Sequence, residues 1–207
     1  MKERIAKLFL KDGIFQINTK NLFTYSDGSV GVGYSDTRKL ISDSQSRKII
    51  IDSFIEIIKD NNLTFDAICG VATGSISWAS WLASYFNLPL IYVRQTPKDH
   101  GLGNIIEGNI EDIGRVLVIE DVIGSGGSSL NACKSLSEEN LHSVACLCIL
   151  DCSIASASQK YRDAKIPCYG ITDQLTLGRV AKDNNYITDS EFEIYMKWIK
   201  EYPWRSA

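Results

Sequence analysis

Residues 115–130 read RVLVIEDVIGSGGSSL: an apolar run, two adjacent carboxylates at Glu120 and Asp121, then glycine and serine from Gly124 to Ser129. A continuously apolar run is the pattern of a strand covered on both faces, as in a parallel sheet. The glycine-rich stretch turns the chain, and the text from 128 to 140 has the look of a helix. Strand, turn and helix make half of a βαβ crossover. The segment therefore raises two questions together: which sheet it belongs to, and what ligand suits two like charges at the end of a buried strand.

Working outward, similar apolar runs occur at 66–72 (DAICGVA), 88–94 (LPLIYVR), 143–150 (SVACLCIL) and 166–171 (IPCYGI). Helix-like text fills 75–87, 128–140 and 153–164, and a strongly apolar helical segment precedes them at 46–61. This alternation predicts an α/β fold with a mainly parallel central sheet flanked by helices, its core at 46–172. The ends read differently. Residues 23–39, FTYSDGSVGVGYSDTRK, suggest a small hairpin or irregular layer. Residues 188–204 open with a capping-box pair, Thr188 and Glu191, and predict a helix. One domain over 1–207 is expected, with a small hood from 1–45 and 173–207.

Bulk properties narrow the function classes. With 207 residues, 44% hydrophobic and 23% charged, the chain has the composition of a soluble globular protein. A formal net charge of −3 offers no electrostatic footprint for nucleic acid or an anionic membrane. The N-terminal MKERIAKLFLKDG interleaves charges with apolar residues and lacks the apolar core of a signal peptide, so a cytoplasmic location is expected. Six cysteines, none in a C-x-x-C pair, predict reduced thiols used as small buried hydrophobes. With only His100 and His142 present, a histidine-based zinc site is not expected, and no protein side chain is assigned to a metal.

The chemistry concentrates in two loops. A turn through Gly124-Ser125-Gly126-Gly127 into a helix at Ser128 makes a nest of backbone N–H groups at a positive dipole end, which suits a phosphate. Ser125, Ser128 and Ser129 add hydroxyl donors. The turn is neither a Walker loop nor G-x-G-x-x-G. Acids do not bind phosphate but accept hydrogen bonds from vicinal hydroxyls, so Glu120 and Asp121 beside the nest describe a ribose 5-phosphate cradle. A glycine- and serine-rich turn with two solvated acids remains the plainer alternative. The second loop, RQTPKDHGLGNIIEG at 94–108, is polar and carries Arg94, Lys98 and His100. Cations on a long loop suit a lid over a polyanion; a solvated surface hairpin is the alternative.

VLVIEDVIGSGGSS resembles the signature of type I phosphoribosyltransferases, which displace diphosphate from phosphoribosyl diphosphate (PRPP) with a nitrogen base. The lid text is similar to that of the orotate phosphoribosyltransferase branch, with Arg94, Lys98, His100, Gly101, Gly103, Asn104, Glu107 and Gly108 at matching positions. GVATGSISWASWLA at 70–83 resembles the branch's diphosphate loop, where Thr73, Gly74 and Ser75 would supply backbone amides. Trp78 and Trp81 in that text are expected to pack the helix rather than touch ligand. The resemblance covers roughly residues 20–185 in order.

It implies Mg²⁺-dependent transfer of phosphoribose from PRPP to orotate, with Lys98, His100 and Asp121 catalytic. PRPP-binding residues would be Thr73, Gly74, Arg94, Lys98, His100, Glu120, Asp121 and the stretch Val122, Ile123, Gly124, Ser125, Gly126, Gly127 and Ser128. It also implies a homodimer whose lid residues serve the neighbouring subunit. The acceptor side departs from the pattern: Val30 replaces a lysine, Gly124 a Ser or Thr, and Cys152 stands in the region of a common arginine, with none until Arg162. Tyr34 and Gly124 are the acceptor-side candidates, with Tyr25 a further stacking residue and Arg38 or Lys39 as substitute cations. Transfer to another base, or non-catalytic sensing of PRPP or a nucleotide, stay open as alternatives.

Overall fold

The computed structural model describes residues 1–25, 28, 30–96, 105–152 and 155–201. Helix α1 (Lys2–Lys11) is followed by the short strands β1 (Phe15–Ile17), β2 (Phe23–Thr24), β3 (Val30–Gly31) and β4 (Gly33–Ser35), then a 3-10 turn at Thr37–Ile41. The central part runs α2 (Ser44–Asp60), β5 (Ala67–Val71), α3 (Ile76–Phe86), β6 (Leu90–Val93), β7 (Ile106–Glu107), β8 (Arg115–Ile123), α4 (Gly127–Glu138), β9 (His142–Asp151), α5 (Ala155–Asp163) and β10 (Cys168–Asp173). Helices α6 (Gln174–Asp183) and α7 (Asp189–Glu201) follow.

Six strands form one sheet in the order β10-β9-β8-β5-β6-β7, parallel except for β7, which pairs antiparallel with β6. The strands read as continuously apolar because both faces are covered. Along β8, Leu117 and Ile119 join the core under α2, α3 and the terminal helices, while Val116 and Val118 face the cluster under α4 and α5. Along β9, Leu147 and Ile149 alternate with Cys146 and Cys148 in the same way. All six cysteines are free thiols, five of them buried, as their apolar setting predicts. Trp78 is fully buried and meets Trp81 edge-on at 5.1 Å, so both pack the helix.

Two corrections concern bounds that matter for the site. Strand β8 does not stop at the acids but runs on to Ile123, because Val122 and Ile123 pair with Leu150 and Asp151 of β9. The following helix begins at Gly127, one residue before Ser128.

The layer from the two ends is more regular than its sequence suggests. Helix α1 buries Ile5, Ala6, Phe9 and Leu10 against α6 and β10. The β1–β4 and β2–β3 pairs are antiparallel. Trp198 of α7 covers them: a Cβ at Gly33 would lie 3.0 Å from its ring, so the glycine spacing of VGVG leaves room for an indole. The capping box forms at α7, where the Thr188 amide donates to Glu191 Oε2 at 2.8 Å and the Glu191 amide to Thr188 Oγ1 at 3.3 Å. Among the described residues no helix is long and apolar enough to cross a membrane.

Candidate active site

The strand order reverses between β5 and β8: from β5 the chain proceeds to β6 on one side, and from β8 to β9 and β10 on the other. Open α/β sheets bind ligands at such a switch point, outside the carboxyl ends of the strands. Two loops converge there. After β5, residues 72–75 lead into α3 with a cis peptide between Ala72 and Thr73. After β8, residues 124–126 lead into α4.

Gly74 and Asp121 meet across this crevice. A Cβ on Gly74 would overlap the Asp121 carboxylate, lying 2.7 Å from its Cγ. Asp121 Oδ1 accepts the Val122 amide at 2.8 Å, and Oδ2 faces Thr37 Oγ1 at 3.3 Å. Thr37 is buried in the 3-10 turn, so that turn, the 72–75 loop and the end of β8 meet at one carboxylate. Ser75 is also buried and donates to the Val71 carbonyl at 2.6 Å, bracing the start of α3, while Thr73 stays exposed. Gln95 donates to the Ala72 carbonyl at 3.2 Å and ties the end of β6 to the same loop.

Glu120 is set apart from its neighbour. It is 6% exposed, with Oε1 accepting the Asp121 amide at 3.1 Å. Burial first, and the Asp121 charge second, push its carboxyl from the ordinary 4.5 up to about 9. The alternative of two solvated acids therefore fails for Glu120. The folded chain keeps a proton that the unfolded chain releases above about pH 4.5, so this group favours folding at low pH. That contribution is lost as pH rises towards 9. In Glu120→Gln the loss is absent: at about 1.4 kcal/mol for each pH unit the wild type gives up several kcal/mol between pH 5 and pH 9, so the variant's melting temperature relative to wild type is expected to gain on the order of 10 °C across that range. Parallel melting curves across that range would remove the buried proton from Glu120.

At the phosphate-side turn, Gly126 adopts φ +77 as the N-cap of α4, a conformation that suits glycine. Gly127 and Ser128 are exposed at the first turn, with their amides at the positive end of α4. Ile123 is buried, so only its backbone can face a ligand. Ser129 departs from the expectation of a phosphate donor: it is buried and points at Tyr161, 2.6 Å away.

The two ends of the 94–108 segment pair with each other at its base. The Arg94 amide donates to the Ile105 carbonyl at 2.9 Å, and Tyr92 and Val93 pair with Glu107 and Ile106. Arg94 Nη1 sits 3.5 Å from Glu107 Oε1. A cavity of about 240 Å³ between this base and α4 is lined by Arg94, Gln95 and Ser128, among others. Lys98, His100, Gly101, Gly103 and Asn104 lie outside the described residues.

On the acceptor side, Tyr34 is exposed and stacks on Phe23 with centroids 5.4 Å apart. The Tyr25 hydroxyl donates to the Gly33 carbonyl, which commits it to packing on β4. Val30 is 52% exposed, and Cys152 is buried, with its amide donating to the Ile123 carbonyl at 2.9 Å. Of the two substitute cations, Lys39 lines a cavity between α1 and α2 with Asp12 and Asp43, whereas Arg38 is exposed and adjoins Thr37. Thr37, Gln95 and Tyr161 carry no motif; each enters the site through tertiary contact alone.

The family profile described as phosphoribosyl transferase domain matches residues 38–176, from the 3-10 turn to the start of α6. The chain is 36% identical over 197 residues to an orotate phosphoribosyltransferase of Coxiella burnetii, covering 95% of this chain and 94% of that one. A similar relative with the same name, from Fusobacterium nucleatum, is 35% identical over 193 residues, 93% of this chain and 92% of that one. Among solved structures, the orotate phosphoribosyltransferase of Aeropyrum pernix superposes with a TM-score of 0.71 at 26% identity, covering 84% of this chain and 97% of that one.

Proposed function

This chain belongs to the orotate phosphoribosyltransferase family, a branch of the phosphoribosyl transferases, and on that premise we propose that it transfers phosphoribose from PRPP to orotate, giving orotidine 5'-phosphate and diphosphate. The observation that carries the proposal is the crevice at the β5/β8 switch point. There the 72–75 loop closes on the Asp121 carboxylate, and the turn into α4 follows from the same strand, which supports assigning them to the diphosphate, ribose and 5-phosphate of one PRPP molecule.

In the reaction the anomeric carbon loses its bond to the diphosphate oxygen and gains one to the base nitrogen, which gives up its proton to the departing diphosphate or to water, through an oxocarbenium-like transition state. Amides of Thr73 and Gly74, with Arg94, receive the leaving diphosphate. Lys98 and His100 neutralise the charge that develops on it. Asp121 and Glu120 accept the ribose hydroxyls, and the backbone from Val122 and Ile123 through Gly124, Ser125, Gly126, Gly127 and Ser128 holds the 5-phosphate. Mg²⁺ fits this donor set. Among the described residues no cluster of three acidic, cysteine or histidine ligands stands ready for a metal, and Mg²⁺ characteristically binds through one or two carboxylates, substrate phosphates and water. When bound it would offset negative charge on the diphosphate; Asp121 is the carboxylate open to it.

Arg38, beside Thr37, is the cation proposed to meet the orotate carboxylate in place of the residue that Val30 displaces, with Tyr34 and Gly124 bordering the base. The exposed Val30 supports a second reading, transfer to a base without a carboxylate. The hood formed by 1–45 and 173–207, a homodimer with Lys98 and His100 serving the neighbouring site, and a cytoplasmic location complete the proposal. The test is turnover of orotate, followed by its ultraviolet absorbance, with PRPP and Mg²⁺. Turnover of a different base in a panel, with orotate inert, would select the second reading; slow PRPP hydrolysis alone across the panel would sink the transferase.

A further inference from the structure

The phosphate-side turn rests on α5. At Gly126 a Cβ would lie 3.3 Å from Tyr161 Cε2 and 3.6 Å from Ala157 Cβ, so the turn and the aromatic ring are in close approach. One turn into α4, Ser129 Oγ lies 2.6 Å from Tyr161 Oη and 3.4 Å from the Gly126 carbonyl oxygen. Tyr161 Oη in turn lies 3.4 Å from Cys146 Sγ on β9. A single side chain, 3% exposed, thus touches the turn, the first turn of α4 and the sheet.

Packing alone does not call for these hydroxyls. The surrounding cluster is apolar, made of Ile123, Ala132, Cys133, Leu136 and Ala157. Phenylalanine and alanine would fill the same space, and burying a hydroxyl is costly without a partner. Here each hydroxyl has one. If Tyr161 donates, the Ser129 proton remains for the Gly126 carbonyl; if Ser129 donates, the Tyr161 proton goes to Cys146 Sγ. Either way the first turn of α4 is bonded sideways to α5. A helix N-terminus binds a phosphate only as well as its N–H groups are aimed, and their aim depends on where that turn sits.

We propose that Tyr161, through its hydroxyl bond to Ser129, is a positioning residue for the 5-phosphate turn, holding the first turn of α4 so that the amides of 124–128 converge on the phosphate. The inference rests on the phosphoribosyl reading above, and it is tested without the acceptor base. Tyr161→Phe, Ser129→Ala and the double variant are titrated calorimetrically with ribose 5-phosphate and, separately, with inorganic diphosphate.

Each single change weakens ribose 5-phosphate about fivefold, the factor of one hydrogen bond of ~1 kcal/mol. The double variant is about as weak as either single, since all three remove the Ser129–Tyr161 bond that ties α4 to α5. Diphosphate affinity stays within about twofold of wild type, and the KM for PRPP rises with little change in kcat. Ribose 5-phosphate binding unchanged despite a lower melting temperature would reduce the pair to packing and overturn the proposal. So would equal weakening of both ligands, which marks general loosening. Should Tyr161→Phe fail to fold, Ser129→Ala carries the same readouts. A wild type that binds neither ribose 5-phosphate nor PRPP would defeat the phosphoribosyl reading itself; intact binding without orotate turnover would count against the acceptor alone.

Discussion

Asp121→Asn is expected to lower kcat/KM for PRPP by about a hundredfold while leaving the fold intact. Asparagine keeps the shape of the side chain and an oxygen for the Val122 amide, which now donates to Oδ1 at 2.8 Å. It removes the charge that the proposed ribose hydroxyls would meet. A hydrogen bond to a charged group contributes about 1.5–3 kcal/mol against about 1 for a neutral pair. Losing that difference on two hydroxyls, as positive charge grows at the anomeric carbon, approaches 3 kcal/mol, or about two factors of ten. Steady-state kinetics with PRPP varied would measure it, and thermal melting would separate it from unfolding. A loss below about tenfold would place the ribose elsewhere. Glu120 is the internal comparison: deeper and held protonated near neutral pH, it carries less charge to lose.

That contrast was not legible in the sequence, where Glu120 and Asp121 stand as an equivalent pair. Adjacent strand residues point to opposite faces, and β8 continues through both acids to Ile123, so the two carboxylates inherit different surroundings. The strand extends because ladder bonds with β9 are made by backbone, which is indifferent to the polarity of the side chains. For the same reason the apolar runs located the five parallel strands well, yet placed the carboxyl ends of β8 and β10 two residues early, where polar residues interrupt the apolar text. Helix α1 shows another limit. Its buried positions 5, 6, 9 and 10 have helical spacing, but the charges between them obscure it until α6 and β10 supply the covering surface.

Within the site, the glycine-rich turn and the two acids were readable because local backbone chemistry restricts which residues can stand there. Thr37 and Asp121 are separated by 84 positions, Ser129 and Tyr161 by 32, and neither pair has a local signature. They become partners only when the 3-10 turn at Thr37–Ile41 packs against the end of β8 and α5 packs against α4. Ser129 illustrates the consequence. It belongs to a run of serines that all read as phosphate donors, and helical geometry turns it inward while Ser128 stays exposed.

Gly74→Ala follows from the same geometry and carries an effect as large as that of Asp121→Asn from a single methyl group. The added carbon would sit 2.7 Å from Asp121 Cγ, closer than van der Waals contact allows, so either the carboxylate swings away or the 72–75 loop withdraws. The carboxylate is not free to move without loss, since the Val122 amide and the Thr37 hydroxyl both meet it. The loop is braced from the other side by Gln95 on the Ala72 carbonyl and by Ser75 on Val71. A displacement near 1 Å between groups that must act on the two ends of one ribosyl diphosphate costs on the order of a hundredfold in rate. The site lies in a loop at the carboxyl end of β5, outside either apolar cluster, so the melting temperature should change by no more than about 3 °C. Pairing the substitution with Asp121→Asn sharpens the test. If both act by disabling the one Asp121 carboxylate, the first by displacing it and the second by removing its charge, the double variant falls far short of the product of the single losses. Full multiplication of the two effects would show instead that Gly74 and Asp121 serve the substrate independently.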